Sequence, residues 1–284
     1  MERNFECNTF GRRLKSMLKV DLRRMFTSLL IYILVASCLI MPIVITVMVE
    51  MMEGTTPIDQ QTGLPGEPIK GFDSAWQIIG SVSGGNAMGG MESTSGEAGD
   101  QMAEMSMDVT SMCNINMLYF LIAVPVCLFV SDDFRSGYAK NLFTVRAKKT
   151  DYVISKTIVC FIGGALMILA FFIGSMLGGA ISGLPFDMVG FNAGELVMCI
   201  ISKVLLVSVF VPIYLVMSVA AKQRAWLSML LSFGVGMFLF MMIPMMTPLN
   251  ASVMNVILCL AGGVMFGAGL GAVSNLVLKK TSLV

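Results

Sequence analysis

Residues 131–156, SDDFRSGYAKNLFTVRAKKTDYVISK, form a charged, glycine-interrupted island between two long apolar runs. What surrounds it fixes its meaning. The chain has 284 residues, of which 56% are hydrophobic and 13% charged, with a mean hydropathy of +0.82. That leaves too little polar surface to coat a soluble domain of this size, so the chain reads as an integral membrane protein. The island is then an exposed loop between two membrane spans, a lever on which a soluble partner can push.

A helix that crosses ~30 Å of hydrocarbon at ~1.5 Å per residue needs ~20 mostly apolar residues. Six stretches meet the requirement: Ser28 to Met52, Ile115 to Val130, Tyr152 to Ile181, Ala193 to Val219, Trp226 to Met246 and Ser252 to Leu278. The second is short and is expected to borrow residues from Asn114 or from the Ser131 segment. No run alternates as the strands of a barrel do. The expected fold is all-α and polytopic, with six transmembrane helices.

Lysine and arginine mark the cytosolic side of a bacterial membrane protein. Seven lie in residues 1–27 (Arg3, Arg12, Arg13, Lys15, Lys19, Arg23 and Arg24), five in the island's loop, two at Lys222 and Arg224, and two at Lys279 and Lys280. Residues 53–114 hold nine carboxylates against the single base Lys70. Both termini are therefore expected in the cytosol, 53–114 outside as a large loop, and 131–151 inside. Residues 1–27 form a cytosolic segment and 28–284 the transmembrane domain, whose first run reads as a retained signal anchor rather than a cleaved signal. Before it, Phe10, Leu14, Met17, Leu18, Leu22 and Met25 recur at three- and four-residue spacing among bases. This predicts an amphipathic helix along the inner membrane face, its apolar stripe in the acyl boundary.

Several chemistries are excluded by composition. There is no histidine, which removes Ser-His-Asp hydrolysis and H-E-x-x-H metalloprotease sites. The seven cysteines show no C-x-x-C spacing, so neither a disulfide framework nor a zinc site is expected. No G-x-x-x-x-G-K-[ST] phosphate loop occurs; Gly84-Gly85 and Gly89-Gly90 lack the following Lys-Ser/Thr. Nucleotide is expected on a separate chain, with no cofactor on this one.

A basic interfacial helix, a first span, a large outer loop, a second span, and then an acid-x-x-x-x-Gly-x-x-Lys segment with a basic cluster opening the third span resemble the permease subunits of type-2 ABC exporters, the ABC-2 family. The residues that carry the resemblance are Asp132, Asp133, Gly137, Lys140, Leu142, Arg146, Lys148, Lys149, Tyr152 and Lys156. The order of parts matches over nearly the whole chain, but only 131–156 has motif-like specificity. The resemblance implies a coupling helix near 138–146 that sits in a cleft of a separate ATPase subunit carrying ATP and Mg. It also implies a second permease subunit, identical or related, and export across the cytoplasmic membrane. The residues agree with that role: after a break at Gly137, a short helix puts Tyr138 and Leu142 on one face with Phe143 adjoining, to dock, and leaves Lys140 and Arg146 to orient.

Lys203, in CIISKVLLVSVF, is the one ionisable residue well inside an expected span. A lysine there costs roughly 2.5–3.5 kcal/mol and normally faces protein or water. It reads either as a cationic pathway lining or as a side chain that snorkels or pairs with Glu195 or Glu50. Gly174 and Gly178, and Gly263, Gly267 and Gly271, recur every four residues, as at closely approaching helices, with internal packing expected. Met102, Met105 and Met107 have the spacing of a thioether copper site, but the chain's 27 methionines make biased usage the better account. The apolar patch Trp76 to Ile79 interrupts the polar outer loop as a small cap or flap. The alternative function is a secondary carrier or channel that needs no ATPase, against which stand the absence of an evident internal repeat and of intramembrane carboxylates. Antimicrobial peptides, drugs and lipids all suit the resembling family as cargo.

Overall fold

The computed structural model describes residues 10–55, 71–80, 82, 115–145, 148–240 and 243–280. Arg146 and the Met102, Met105 and Met107 cluster lie outside them. Among the described residues every regular element is helical: α1 (Phe10–Thr27), α2 (Leu29–Met52), a 3-10 turn (Ile115–Met117) leading into α3 (Leu118–Arg135), α4 (Tyr138–Val145), α5 (Lys149–Ser182), α6 (Ala193–Ala221), α7 (Ala225–Phe240), α8 (Ile243–Met246) and α9 (Val253–Lys280). Five stretches are long and apolar enough to cross a bilayer: Leu29–Met52, Ile115–Arg135, Lys149–Ser182, Ala193–Ala221 and Val253–Lys279. The chain is a multi-pass membrane protein.

Two helices, α7 (Ala225–Phe240) and α8 (Ile243–Met246), fall within the stretch Trp226 to Met246 expected as a single span, and residues 241 and 242 between them lie outside the described residues. The second span gains its missing length from the island, as α3 runs on to Arg135.

One expectation, concerning α1, needs correction. Its buried side is Met17, Asp21 and Met25. Met25, with Leu18 and Leu22 beside it, packs on Ile31 and Val159, while Met17 joins Tyr152 and Val153. That stripe is occupied by the chain's own α5 and is not free to enter the acyl boundary. Phe10, Val20 and Phe26 remain exposed and give the helix a second, smaller apolar surface.

The long helices α5 and α6 form the central pair. Helices α1 and α2 lie on α5, whereas α3, α7 and α9 lie on α6. Missing side chains set the closest approaches. A Cβ on Gly174 would meet the backbone of Leu39 and lie 2.7 Å from Pro42, and one on Gly178 would be 2.5 Å from Thr46 Oγ1 and 3.0 Å from Ile43 Cα. The Gly174/Gly178 pair is thus an intramolecular seam with α2, as small residues at this spacing allow. Gly263 meets Ser208 of α6 in the same way, but Gly267 faces open space.

Outside the bundle, residues 71–80 sit on the α5–α6 connection. Trp76 donates from Nε1 to the Phe186 carbonyl at 3.2 Å and meets the Phe186 and Phe191 rings edge-on. Ile78 and Ile79 are fully buried, so the apolar patch Trp76 to Ile79 is a cap on this end.

Adding a methyl group at the seam should destabilise by about 1–3 kcal/mol, because a backbone carbonyl cannot step aside. Gly174→Ala is therefore expected to unfold at a clearly lower temperature than the parent. Gly267→Ala should be neutral or slightly stabilising, since it removes glycine's entropic cost without contact. Equal melting of the two variants would contradict the seam.

Candidate functional site

The island's geometry starts at Gly137. Helix α3 ends where Ser136 N–H bonds to the Asp132 carbonyl at 2.8 Å, and Gly137 then adopts φ +73°. A Cβ there would meet nothing within 4 Å, so glycine is required by the left-handed backbone and not by space. The turn lets α4 begin at once, with Asn141 N–H bonding to the Gly137 carbonyl at 3.0 Å.

Behind this turn lies a buried ion cluster. Asp21, Asp133 and Lys156 are each 0% exposed. Lys156 Nζ is 2.7 Å from Asp133 Oδ2 and 3.0 Å from Asp21 Oδ1, ionic contacts rather than directed hydrogen bonds. Arg24 donates to Asp133 Oδ1 at 2.7 Å, Tyr152 OH to Asp133 Oδ2 at 2.9 Å, and Ser155 Oγ to Asp21 Oδ2 at 2.7 Å. Two carboxylates and two cations leave the group formally neutral, which is what makes burial tolerable. Phe129 presents its ring to both cations, 3.7 Å from Lys156 Nζ and 5.6 Å from the Arg24 guanidinium. Burial, the largest single influence, lowers the Arg24 pKa, but the Asp133 charge and hydrogen bond together with Tyr138 and Asp21 outweigh it and the net shift is upward. A further pair, Arg13 Nε to Asp151 Oδ2 at 3.2 Å, ties α1 to the first turn of α5.

Helix α4 is strapped to this cluster. The Arg24 guanidinium lies 4.1 Å from the centre of the Tyr138 ring, and Phe143 meets Tyr152 edge-on at 5.4 Å. Leu142 and Phe143 pack on the apolar group that contains Met17, Val130, Tyr152 and Val153. Burial, followed by the neighbouring Asp21 charge, pushes the Tyr138 phenol pKa up. The three residues expected to dock, Tyr138, Leu142 and Phe143, thus turn their side chains towards their own bundle, half-buried. Lys140, Asn141 and Thr144 face outward.

The pathway candidates do not meet. Lys203 is fully buried and donates to Asn116 Oδ1 at 3.1 Å and Thr247 Oγ1 at 3.0 Å, joining α6 to the start of α3 and to the α8–α9 link. Among the described residues it makes no ion pair. The expected pairing with Glu195 or Glu50 is corrected: Glu195 is held in the capping box of α6, accepting from Asn192 N–H at 3.0 Å, and Glu50 is exposed near the end of α2. A neutral amide and a hydroxyl satisfy the ammonium instead.

Sequence reasoning missed Asp21, Arg24, Phe129 and Ser155 as members of one site. Asp21 left a signal: it is the only acid among the bases of α1, and it stands four residues from both Met17 and Met25, on the buried stripe itself. Asp133 and Lys156 were both part of the island's pattern, but nothing local pairs residues so far apart in the chain.

The sequence matches the ABC-2 family transporter protein family over residues 81–238, more than half of the chain and inclusive of α3, α4, α5 and α6. The protein belongs to the ABC-2 family. Neither the curated proteins nor the solved structures give a match. The family makes this chain a membrane component of a transporter.

Removing one partner from a buried ion group leaves an uncompensated charge and costs about 3–5 kcal/mol. Lys156→Met should lower the denaturation midpoint accordingly. Adding Asp21→Asn removes the surplus negative charge and should restore part of the loss. If K156M alone unfolds like the parent, the cluster is not the anchor described.

Proposed function

We propose that the chain is the permease subunit of an ATP-driven ABC exporter in the bacterial cytoplasmic membrane. It crosses the membrane six times with both termini in the cytosol. The five long stretches account for five crossings, and α7 extended by α8 supplies the sixth. The basic residues at the α1 end, at Lys222 and Arg224, and at Lys279 support this orientation. A separate ATPase subunit, which holds ATP and Mg, docks on the region 138–146. A second permease, identical or related, completes the pathway against the apolar faces that α2, α7 and α9 leave exposed.

The observation that carries this reading is the form of α4 in a chain of this family. One side, Tyr138, Leu142 and Phe143, is fastened to α1, α3 and α5, and the other side offers Lys140, Asn141 and Thr144. The outward side meets the ATPase, and the inward side passes the displacement to the bundle. Because Arg24, Asp133 and Lys156 bind α1, α3 and α5 to one another, these elements move as one body. Gly137 sets the angle at which α4 leaves α3. Arg146, next to the docking helix, orients the partner. Cargo passes elsewhere, with Lys203 holding the outer end of the pathway and Glu195 and Glu50 at its rim.

Expression of the chain beside its neighbouring genes, followed by affinity purification, tests the reading. An ABC ATPase should co-purify. Reversing charge on the outward face with Lys140→Glu and Thr144→Glu should weaken that association by about tenfold or more while the melting temperature of the free permease stays unchanged. Failure to recover any ATPase, or recovery that the double variant does not alter, would count against it.

A further inference from the structure

Helix α2 lies on α5, while α3 lies on α6 and α7, and at the α1 end of the bundle this divergence opens a crevice of about 460 Å³. The volume falls within the roughly 300–1,000 Å³ of small-molecule sites. Its two ends differ in chemistry. The end level with the α1–α2 junction is polar, lined by Arg24, Ser131, Asp132, Arg135 and Gln223. The wall beyond it is apolar, made by Leu30, Ile31, Pro125 and Leu128. Pro125 stands about 15 Å along α3 from Arg135 at ~1.5 Å per residue, so the crevice runs from the membrane surface well into one leaflet.

Three features at the polar end point to a bound anion. Arg135 is exposed and makes no ion pair among the described residues. Arg24 offers a second guanidinium, only part of which is occupied by Asp133, because its contact with the 65% exposed Asp132 is long at 3.8 Å. Ser131 is 3% exposed, yet its hydroxyl has no hydrogen-bond partner. A buried hydroxyl without a partner calls for an explanation, and Ser131 is among the residues that line the crevice with the two arginines. Arg24's charge is already set against Asp133 in the neutral cluster, so Arg135 is the added cation of the crevice and Asp132 the acid that opposes an incoming anion; guanidinium groups are the usual receptors for phosphate.

We infer that this crevice binds an anionic phospholipid from the leaflet on the α1 side, its phosphate between Arg135 and Arg24 with Ser131 donating, and its upper acyl chain along Ile31, Pro125 and Leu128. The occupant lies against Phe129 and thus against the ion cluster that holds α1 and α4. The inference does not depend on ATPase docking and is read on the permease alone.

Native mass spectrometry of the full chain in a neutral detergent, titrated with phosphatidylglycerol, phosphatidylcholine or inorganic phosphate, tests it. Phosphatidylglycerol should bind about fivefold or more tightly than phosphatidylcholine, as expected for one arginine-dependent charge near a membrane surface. Two exposed substitutions should act in opposite directions: Arg135→Gln weakens phosphatidylglycerol binding by about fivefold, and Asp132→Asn strengthens it by a similar factor. Ser131→Ala should weaken it as well, and thermal unfolding should confirm that all three variants fold. Equal retention of the two lipids, or phosphatidylglycerol binding indifferent to both charge variants, would overturn the proposal. Inorganic phosphate that binds as tightly as the lipid and displaces it would overturn the lipid assignment.

Discussion

The contact between Lys156 and the paired carboxylates of Asp133 and Asp21 is the constraint on which one end of this molecule depends. None of the three side chains reaches water. A buried ammonium is tolerable only when opposite charge surrounds it, and here the charge comes from two elements far apart in the chain. Asp133 closes α3, and Asp21 sits on the stripe of α1 that an ordinary amphipathic helix would keep apolar. Once Lys156 is satisfied, α1 cannot drift along the membrane surface. Arg24 then balances the second carboxylate and reaches over Tyr138, so that the placement of α4 follows from the same electrostatics. Lys149 adds a tie at the opposite flank, donating to the Leu278 carbonyl of α9 at 2.6 Å.

The other end is held differently. Lys203 is equally buried but rests on an amide and a hydroxyl, and Trp76 with Ile79 packs against Phe191, Leu196 and Leu249 as an apolar cap on the α5–α6 connection. Helix α5 spans the distance between the two ends; its 34 residues make it about 51 Å long at ~1.5 Å per residue, well beyond an apolar layer of ~30 Å. It therefore carries Lys156 and Tyr152 at one end of its length and the Gly174/Gly178 seam towards the other. A displacement applied near α4 acts on a helix that contacts α1, α2, α3, α6 and α9.

Much of this was legible in the sequence, for identifiable reasons. Long apolar runs have few alternatives in a bilayer, so α2, α5, α6 and α9 fall within a few residues of where composition puts them. Gly137 announced the break after α3 because a helix that resumes at once needs a left-handed residue between its halves. The side of α4 that faces inward was not readable, since Tyr138, Leu142 and Phe143 suit a partner's groove as well as their own bundle. Lys203 shows the same limit from the other side: its partners, Asn116 and Thr247, are neutral residues remote in sequence, and charge complementarity pointed to Glu195 and Glu50 instead.

In the proposed function, α1, α4 and the adjoining ends of α3 and α5 form one body that a partner moves as a unit. Spin labels at Arg23 on α1 and Asn141 on α4, both exposed, measure this directly in a complex with the proposed ATPase partner. The account predicts the same distance distribution with and without nucleotide, and a broadened one when Lys156→Met removes the anchor. A nucleotide-dependent shift between the two labels in the parent protein would contradict it.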